Sequence, residues 1–174
     1  MVVATVAVVG YVVLSGGNDS VSPGKVKALD KLAAAAGCTV RTFPSEGRQH
    51  VTTSVTYRTN PPTSGPHYPI AAQDGEYTNG PPRKERYVHA LEHGRIELQY
   101  RPSASAAARA GLKAVFDEDT DRMLLFENNT GMPYEVAATA WTRLLACPRY
   151  DAQVPNAMRA FRDAYRGKAP EQIP

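Results

Sequence analysis

The stretch from Tyr87 to Tyr100, YVHALEHGRIELQY, carries the clearest folding signal in the chain. Its second half, Ile96 to Tyr100, alternates apolar and polar residues, which is the period-two pattern of a half-buried strand. A shorter alternation covers Tyr87 to Ala90, and Gly94 stands between the two runs. We therefore predict a strand, a tight turn near residues 92–94, and a second strand.

The same stretch contains two of the four histidines of the chain. The full set is His50, His67, His89 and His93, all within one region of the sequence. Imidazole groups bind zinc, copper and other transition metals, or transfer protons. One interpretation is a shared metal site formed by the whole set, with Glu92 either orienting an imidazole as a hydrogen-bond acceptor or serving as a ligand. The alternative is that these are unrelated surface or core histidines.

The residues from His89 to His93 match H-x-x-E-H, a pattern found in one class of zinc peptidases. That chemistry needs a helix, because the two histidines must share one face to bind a single zinc while the glutamate activates water. The strand predicted after Gly94 argues against a helix of adequate length. A zinc hydrolase that uses Glu92 is therefore a minor alternative.

Upstream, residues 44–82 are rich in proline and glycine, which exclude long regular elements. Loops of this length without secondary structure are uncommon in compact domains and are often functional. Within this loop the segment Asn60 to Tyr68, NPPTSGPHY, places His67 on a backbone restricted by prolines. We interpret the loop as a rigid support for a ligand, and the alternative is an extended spacer with a solvated histidine.

The rest of the chain predicts an α+β fold. Periodicity predicts further elements, which are helices at residues 25–36, 103–116 and 155–165 and a strand at residues 122–127. Residues 134–147 fit both periods, and we favour a strand there. The order from Tyr87 is then β-β-α-β-β-α, which describes a small mixed sheet with helices to one side. By element order alone, this resembles thioredoxin-like folds.

The chain has two cysteines, Cys38 and Cys147, far apart and without a CxxC motif. In an oxidising compartment they predict one disulfide that closes a long loop. A loop of about 100 residues closed in this way stabilises a fold by roughly 4 to 5 kcal/mol in the chain-entropy model. The alternative is a pair of buried thiols that behave as small hydrophobic groups.

The N-terminal residues 2–14, VVATVAVVGYVVL, carry no charge. A helix of this length would reach about 20 Å, whereas the hydrocarbon core of a bilayer measures about 30 Å. We interpret residues 1–15 as the outer part of a truncated membrane anchor, followed by a linker at residues 16–24 and a single extracytoplasmic domain at residues 25–171. The alternative is the core of a signal peptide, although no clear cleavage site follows it.

The charge pattern bears on the class of partner. The net charge of +3 is small for 174 residues, and the basic residues are interleaved with acidic ones, as in Arg83 to Arg86. A nucleic-acid interface needs lysines and arginines clustered on one face. We therefore expect no nucleic-acid partner.

Several short segments are distinctive enough to indicate a family. They are Gly37-Cys38-Thr39, the PPTSGPH box at residues 61–67, Gly75-Glu76-Tyr77, the VHALEHG box at residues 88–94, Ala140-Trp141 and the PRYD segment at residues 148–151. Together they resemble the DUF3105 family of uncharacterised bacterial proteins, common in actinobacteria, over residues 37–171. The resemblance implies a single N-terminal membrane segment and an outward-facing domain, and it implies no particular activity.

Two functional hypotheses follow, beside the hydrolase. The first is a single-pass protein of the cell membrane whose external domain binds copper or zinc through His50, His67, His89 and His93. The second is a non-catalytic structural or interaction subunit of a cell-envelope complex, with an envelope protein as its partner. The second is motivated by the predicted anchor and by the lack of a complete catalytic set in the sequence.

Overall fold

The computed structural model describes residues 21–171, which form four helices and six strands. In chain order the elements are α1 (Pro23–Ala35), β1 (Thr39–Thr42), β2 (Gly75–Tyr77), α2 (Lys84–Glu92), β3 (Ile96–Tyr100), α3 (Ala106–Asp117), β4 (Met123–Glu127), β5 (Val136–Ala140), β6 (Arg143–Cys147) and α4 (Val154–Tyr165).

The predicted membrane segment at residues 1–15 lies outside the described residues, as does the predicted linker up to residue 20. Within residues 21–171, no helix has both the length and the apolar character needed to cross a membrane.

The strands form one mixed sheet in the order β1-β6-β5-β3-β4-β2. β3 pairs parallel with β4 and antiparallel with β5. β5 and β6 pair antiparallel, β1 extends the sheet antiparallel beside β6, and β2 extends it parallel beside β4. A mixed sheet combined with helices confirms the α+β class predicted from the sequence.

The larger core lies between the sheet and three helices, α1, α3 and α4. Burial of a Leu, Ile or Phe side chain contributes about 1.5 to 3 kcal/mol each, so this face is the main source of stability. Its fully buried members include Ile96, Leu98, Met123 and Leu125 from the central strands, Leu29 from α1, Leu112 from α3 and Phe161 from α4.

The opposite face of the sheet is covered by α2 and by parts of the proline-rich loop (residues 44–82). Tyr87 and Val88 of α2 pack in one cluster with Leu124 and Phe126 of β4, whose side chains alternate with those of the larger core. The prediction that the helices lie to one side is therefore wrong for α2. The short strand β2, which lies inside the loop, was not predicted.

The prediction of a strand at residues 87–90 is also wrong, since these residues belong to α2. The alternation there is only a few residues long, and the same residues satisfy the helical spacing, with Tyr87 and Val88 one turn before Leu91. Leu, Ala, Glu, Lys and Arg, which dominate α2, are good helix formers. The helix ends at Glu92, and Gly94 follows its cap with a φ of 79°, a conformation that favours glycine.

The remaining element predictions are confirmed, with small shifts of their ends. The helices predicted at residues 25–36, 103–116 and 155–165 are α1, α3 and α4, and the strand at residues 122–127 is β4. The strand favoured at residues 134–147 is a hairpin of β5 and β6, which turns at Trp141 and Thr142. The observed order from residue 87 is not β-β-α-β-β-α, and the thioredoxin-like resemblance is not confirmed.

Cys38 and Cys147 form the predicted disulfide across 109 positions of the chain. Cys38 lies directly after the turn that ends α1, and Cys147 is the last residue of β6. Both cysteines are buried within the larger core. The disulfide therefore fastens the end of α1 and the start of the edge strand β1 to β6, the neighbouring strand of the sheet.

Candidate metal centre

His50 and His67 both lie in the proline-rich loop, and the loop itself places them side by side. The two residues pair as a parallel bridge, in which Val51 N donates to His67 O at 2.8 Å and His67 N donates to Gln49 O at 3.0 Å. Around His67 the loop is packed like a core segment, since Thr63 and Ser64 are fully buried. His67 is thus held on a fixed backbone, as its prolines predicted.

The loop is also fastened to the sheet. Thr142 N at the β5–β6 turn donates to Thr63 O at 2.8 Å, and Asn60 Nδ2 donates to Thr130 O at 3.0 Å. Tyr57 Oη donates to Pro66 O at 2.8 Å, next to His67. These bonds position the loop over the sheet face that α2 also covers.

α2 and the residue that caps its C-terminus supply three more side chains of the site. His89, Glu92 and His93 are spaced three and four positions apart, so they lie on one side of the helix near its C-terminal end. The helix therefore places the imidazoles of His89 and His93 next to each other, with their Nε2 atoms 2.9 Å apart. The strand and turn predicted for this region would not have produced that arrangement.

The structure brings all four histidine rings into one cluster. The ring centroids of His67 and His89 are 4.5 Å apart, and those of His89 and His93 are 4.3 Å apart. The ring of His50 lies 5.2 Å from that of His67 and 4.9 Å from that of His89. Residues separated by more than forty positions thus meet at one point, with His89 at the centre.

Hydrogen bonds to backbone carbonyls fix the tautomers of the two central histidines. His67 Nδ1 donates to Gly65 O at 2.8 Å, and His89 Nδ1 donates to Tyr68 O at 2.6 Å. A carbonyl oxygen only accepts, so the proton of each neutral ring lies on Nδ1. Both Nε2 atoms are therefore lone-pair donors directed into the cluster, which is the arrangement of metal-binding histidines.

Glu92 places a carboxylate beside these nitrogens. Its Oε2 lies 2.9 Å from His67 Nε2, and its Oε1 accepts from the guanidinium of Arg48. Within the described residues, His67 Nε2 has no hydrogen bond of acceptable geometry despite this short distance. Glu92 therefore faces the same side of His67 that a metal would occupy, which is the position of a ligand.

The possible ligand atoms fall into two sets that share His89. Single ligand atoms of His50, His67, His89 and Glu92 all lie within 4.8 Å of one another, and so do those of His89, His93 and Glu171. We call these the inner set and the outer set. Glu171 and the Arg48 anchor of Glu92 were missed from the sequence, because neither lies in a motif and both depend on tertiary contacts.

Burial favours the neutral forms of His89 and His93. Desolvation lowers the pKa of His89 to about 4, and the neighbouring histidines act in the same direction. Desolvation also lowers the pKa of His93, against the opposing effect of the Glu171 carboxylate. Neutral imidazole is the form that binds metals, so these two histidines are suited to a metal ion.

A chain of buried polar side chains lies on the sheet on the same face as α2. Thr139 Oγ1 and Gln99 Nε2 donate to Glu97 Oε2 at 2.7 Å and 3.0 Å, and Asn128 Nδ2 donates to Gln99 Oε1 at 2.7 Å. Thr130 Oγ1 then donates to Asn128 Oδ1 and to Asn60 Oδ1, and Asn60 lies in the proline-rich loop. Complete burial raises the pKa of Glu97 well above its usual range, which favours the neutral form of its carboxyl. This chain links the sheet to the loop that carries His67.

The helical conformation of residues 89–92 also bears on the hydrolase alternative, because the sequence analysis argued against a helix there. The i, i+4 histidine pair that such chemistry needs is present. Both oxygens of Glu92, however, already face protein partners, Arg48 and His67. That position suits a ligand better than a base that activates water.

The fold and the site together define a small α+β domain whose histidines and carboxylates meet between a proline-rich loop and a helix. A sequence model of the DUF3105 family, described as a protein of unknown function, matches residues 48–174, and the chain belongs to this family. The match includes all four histidines, Glu92 and Glu171, whereas Cys38 lies outside it. No curated protein and no solved structure gives a significant match.

Proposed function

We propose that the protein binds one transition metal ion, zinc or copper, through His50, His67, His89 and Glu92. The observation that carries the proposal is the pair of bonds from His67 Nδ1 to Gly65 O and from His89 Nδ1 to Tyr68 O. In the neutral rings they leave both Nε2 atoms with a lone pair, within one group of ligand atoms that lie within 4.8 Å of one another. A histidine with a purely packing role has no need for this arrangement at two adjacent rings.

The contact between Glu92 and His67 supports the same conclusion. A lone pair on His67 Nε2 and a carboxylate oxygen 2.9 Å away repel each other unless a cation or a proton lies between them. Both side chains are buried, so water screens this repulsion only weakly. A bound metal ion would turn the repulsion into two coordinate bonds.

The donor set restricts the metal. Three imidazole nitrogens and one carboxylate oxygen are ligands that zinc accepts in tetrahedral sites, and imidazole also suits copper. Copper(I) prefers thiolate or thioether sulfur, but both cysteines are bonded to each other. Zinc and copper(II) therefore fit the site better than copper(I).

We place this domain outside the cytoplasm, anchored by the apolar N-terminal residues. The disulfide between Cys38 and Cys147 supports this location, because disulfides persist in oxidising compartments and are rare in the cytosol. The uncharged run at residues 2–14 supports the anchor. This location is tested by adding protease to intact cells: an external domain is cleaved, whereas a domain in the cytoplasm is protected.

The metal proposal is tested on the full chain, purified in detergent without a histidine tag. The protein is loaded with zinc or copper(II), desalted, and analysed by mass spectrometry for metal per chain. We expect one tightly held ion. E92Q keeps the shape of the side chain but removes its charge, and we expect it to weaken binding by about tenfold or more.

E76Q is the matched control, because Glu76 is a partly exposed carboxylate that pairs with Lys113 on a different part of the surface. It should bind metal as the unaltered protein does. The proposal is wrong if the unaltered protein retains no metal, if E92Q and E76Q bind equally well, or if stoichiometric binding survives combined H89A and H93A substitution.

A second candidate function is that of an interaction subunit in a cell-envelope complex. It is favoured by Ile70, the large hydrophobic residue that stays 66% exposed among those described. Val51, Tyr68 and Pro69 line the same shallow apolar surface. Purification of the intact protein from solubilised membranes, with and without I70E, tests it: a partner that is retained only by the unaltered chain would support this function.

A further inference from the structure

We propose that His93 and Glu171 form a transfer position through which metal reaches the inner set, with His89 as the ligand common to both steps. The inference rests on the proposed function and adds to it how the buried site is filled and emptied. It follows from four features of the structure: the shared ligand, the charge of the two sets, their exposure, and the attachment of the C-terminal segment.

His89 cannot serve both sets at once. Its Nδ1 is engaged with Tyr68 O at 2.6 Å, so only Nε2 is available to a metal. One imidazole lone pair binds one metal ion at a time. Because the inner and the outer set both need His89, the two sets are alternative positions for a single ion rather than a two-metal centre.

The two positions are matched in charge and in ligand type. Beside His89, the outer set offers one imidazole and one carboxylate, from His93 and Glu171, and the inner set offers one carboxylate, from Glu92, with the imidazoles of His67 and His50. Movement of the ion inward exchanges one carboxylate for another and retains imidazole ligation. No electron is transferred, and the charge of the metal–ligand complex does not change.

The side chains particular to the outer set, His93 and Glu171, are more exposed to solvent than His67 and Glu92 of the inner set. The side chains of His93 and Glu171 are 11% and 42% exposed, whereas those of His67 and Glu92 are 0% and 2% exposed. His93 Nε2 lies 3.5 Å from Glu171 Oε2, so the two ligands already point at one position. An ion arriving from solvent meets these groups before it reaches His67.

His50 is also exposed and offers a second route, but its surroundings attract a cation less. On that side the guanidinium of Arg48, two residues away and half-exposed, neutralises the carboxylate of Glu92. On the outer side the exposed charge is the Glu171 carboxylate, and the nearby Arg95 is paired with Asp74 at 3.0 Å. A divalent cation is therefore attracted more strongly to the outer set, where the exposed carboxylate of Glu171 lies beside His93.

The segment that carries Glu171 is attached to the end of α2. Gly167 N donates to Gly94 O at 2.9 Å, and Glu171 N donates to Glu92 O at 3.2 Å. Glu92 thus contributes its side chain to the inner set, while its backbone carbonyl binds the backbone of Glu171, a ligand of the outer set. This attachment keeps the two carboxylates close enough for one to replace the other.

The test is the rate of zinc exchange between the full-length protein and a fluorescent chelator, measured by stopped flow. We expect E171Q and H93Q to slow loading and release together by about tenfold, so that their ratio, the affinity, changes much less than either rate. E76Q is the control for a lost surface carboxylate, and it should leave both rates unchanged.

Three results would overturn the inference. One is equal exchange rates in E171Q and the unaltered protein. Another is slow loading in H50Q with normal loading in E171Q, which would place the route at His50. The third is two zinc ions per chain at saturation. The first two results leave the proposed single-ion site intact, and the third leaves metal binding intact but not the single ion. A failure of the unaltered protein to bind zinc would instead contradict both proposals.

Discussion

The carboxylate of Glu92 lies 2.9 Å from Nε2 of His67, and both side chains are almost completely buried. Glu92 belongs to α2, and His67 belongs to the proline-rich loop. In the neutral ring of His67 the proton is on the opposite nitrogen, where it is donated to Gly65 O. The contact therefore joins two distant parts of the chain through atoms that repel each other unless a cation or a proton lies between them.

The disulfide is expected to be a major contribution to stability. It closes a loop of 109 positions, for which the chain-entropy model gives about 4 to 5 kcal/mol. The C38S and C147S double variant should lose most of this free energy of unfolding, measured by urea denaturation. A loss below about 1 kcal/mol would show that α1 and β1 are held by packing alone.

Glu97 is expected to make the fold less stable at neutral pH. Its folded pKa is raised by burial, so between the unfolded pKa and the folded pKa the native state binds the extra proton. Its contribution is therefore complete below the unfolded pKa and is lost as pH rises through the folded pKa. E97Q, which mimics the neutral acid, should raise the free energy of unfolding at pH 7 by about 1 kcal/mol or more.

The advantage of E97Q should disappear at acidic pH, where the carboxyl of Glu97 is protonated in both states. Urea denaturation of E97Q and of the surface control E76Q across a series of pH values measures this. If E97Q is less stable than the unaltered protein at every pH, the buried carboxyl is not neutral and the account of this polar chain is wrong.

Gly94 is expected to control the attachment of the C-terminal segment. Its φ is 79°, and a Cβ at this position would lie 2.8 Å from the Cα of Gly167. G94A should lose roughly 1 to 2 kcal/mol for the left-handed backbone and more for the contact with Gly167. Hydrogen exchange should show faster opening of residues 167–171, which carry Glu171.

G131A is the matched control, since Gly131 has a φ of 69° but open space around its Cβ position. G131A should lose the free energy of unfolding that the left-handed backbone costs an alanine, without any loss from a steric clash. Equal destabilisation by G94A and G131A, with unchanged exchange at residues 167–171, would show that the segment does not depend on the close approach at Gly94.

The sequence predicted the α+β class, the disulfide and the grouping of the histidines, because each has a local or compositional signal. The strand at Ile96 to Tyr100 is recognised because its alternation is long enough to be unambiguous. The run at Tyr87 to Ala90 is too short to separate a strand from a helix, and the wrong choice hid the i, i+4 relation of His89 and His93. The error was to choose the two-residue period of a strand over the 3.6-residue period of a helix.

Other parts of the site have no signal in the sequence. Glu171 reaches His93 only because the chain after α4 returns to the end of α2, where Gly167 and Gly94 touch. The carbonyls of Gly65 and Tyr68 that set the tautomers are backbone groups, so residue type cannot reveal them. Arg48 pairs with a carboxylate 44 positions away. Such contacts come from the tertiary fold alone.

X-ray absorption spectroscopy of the zinc-loaded protein tests the central claim most directly, because it reports the ligands themselves. We predict a first shell of nitrogen and oxygen near 2.0 Å, with the outer-shell scattering of about three imidazoles and no sulfur. In E92Q the oxygen contribution from the carboxylate should be lost or replaced by water. A spectrum with fewer than about two imidazoles, or with a sulfur shell, would contradict a metal centre built on His50, His67 and His89.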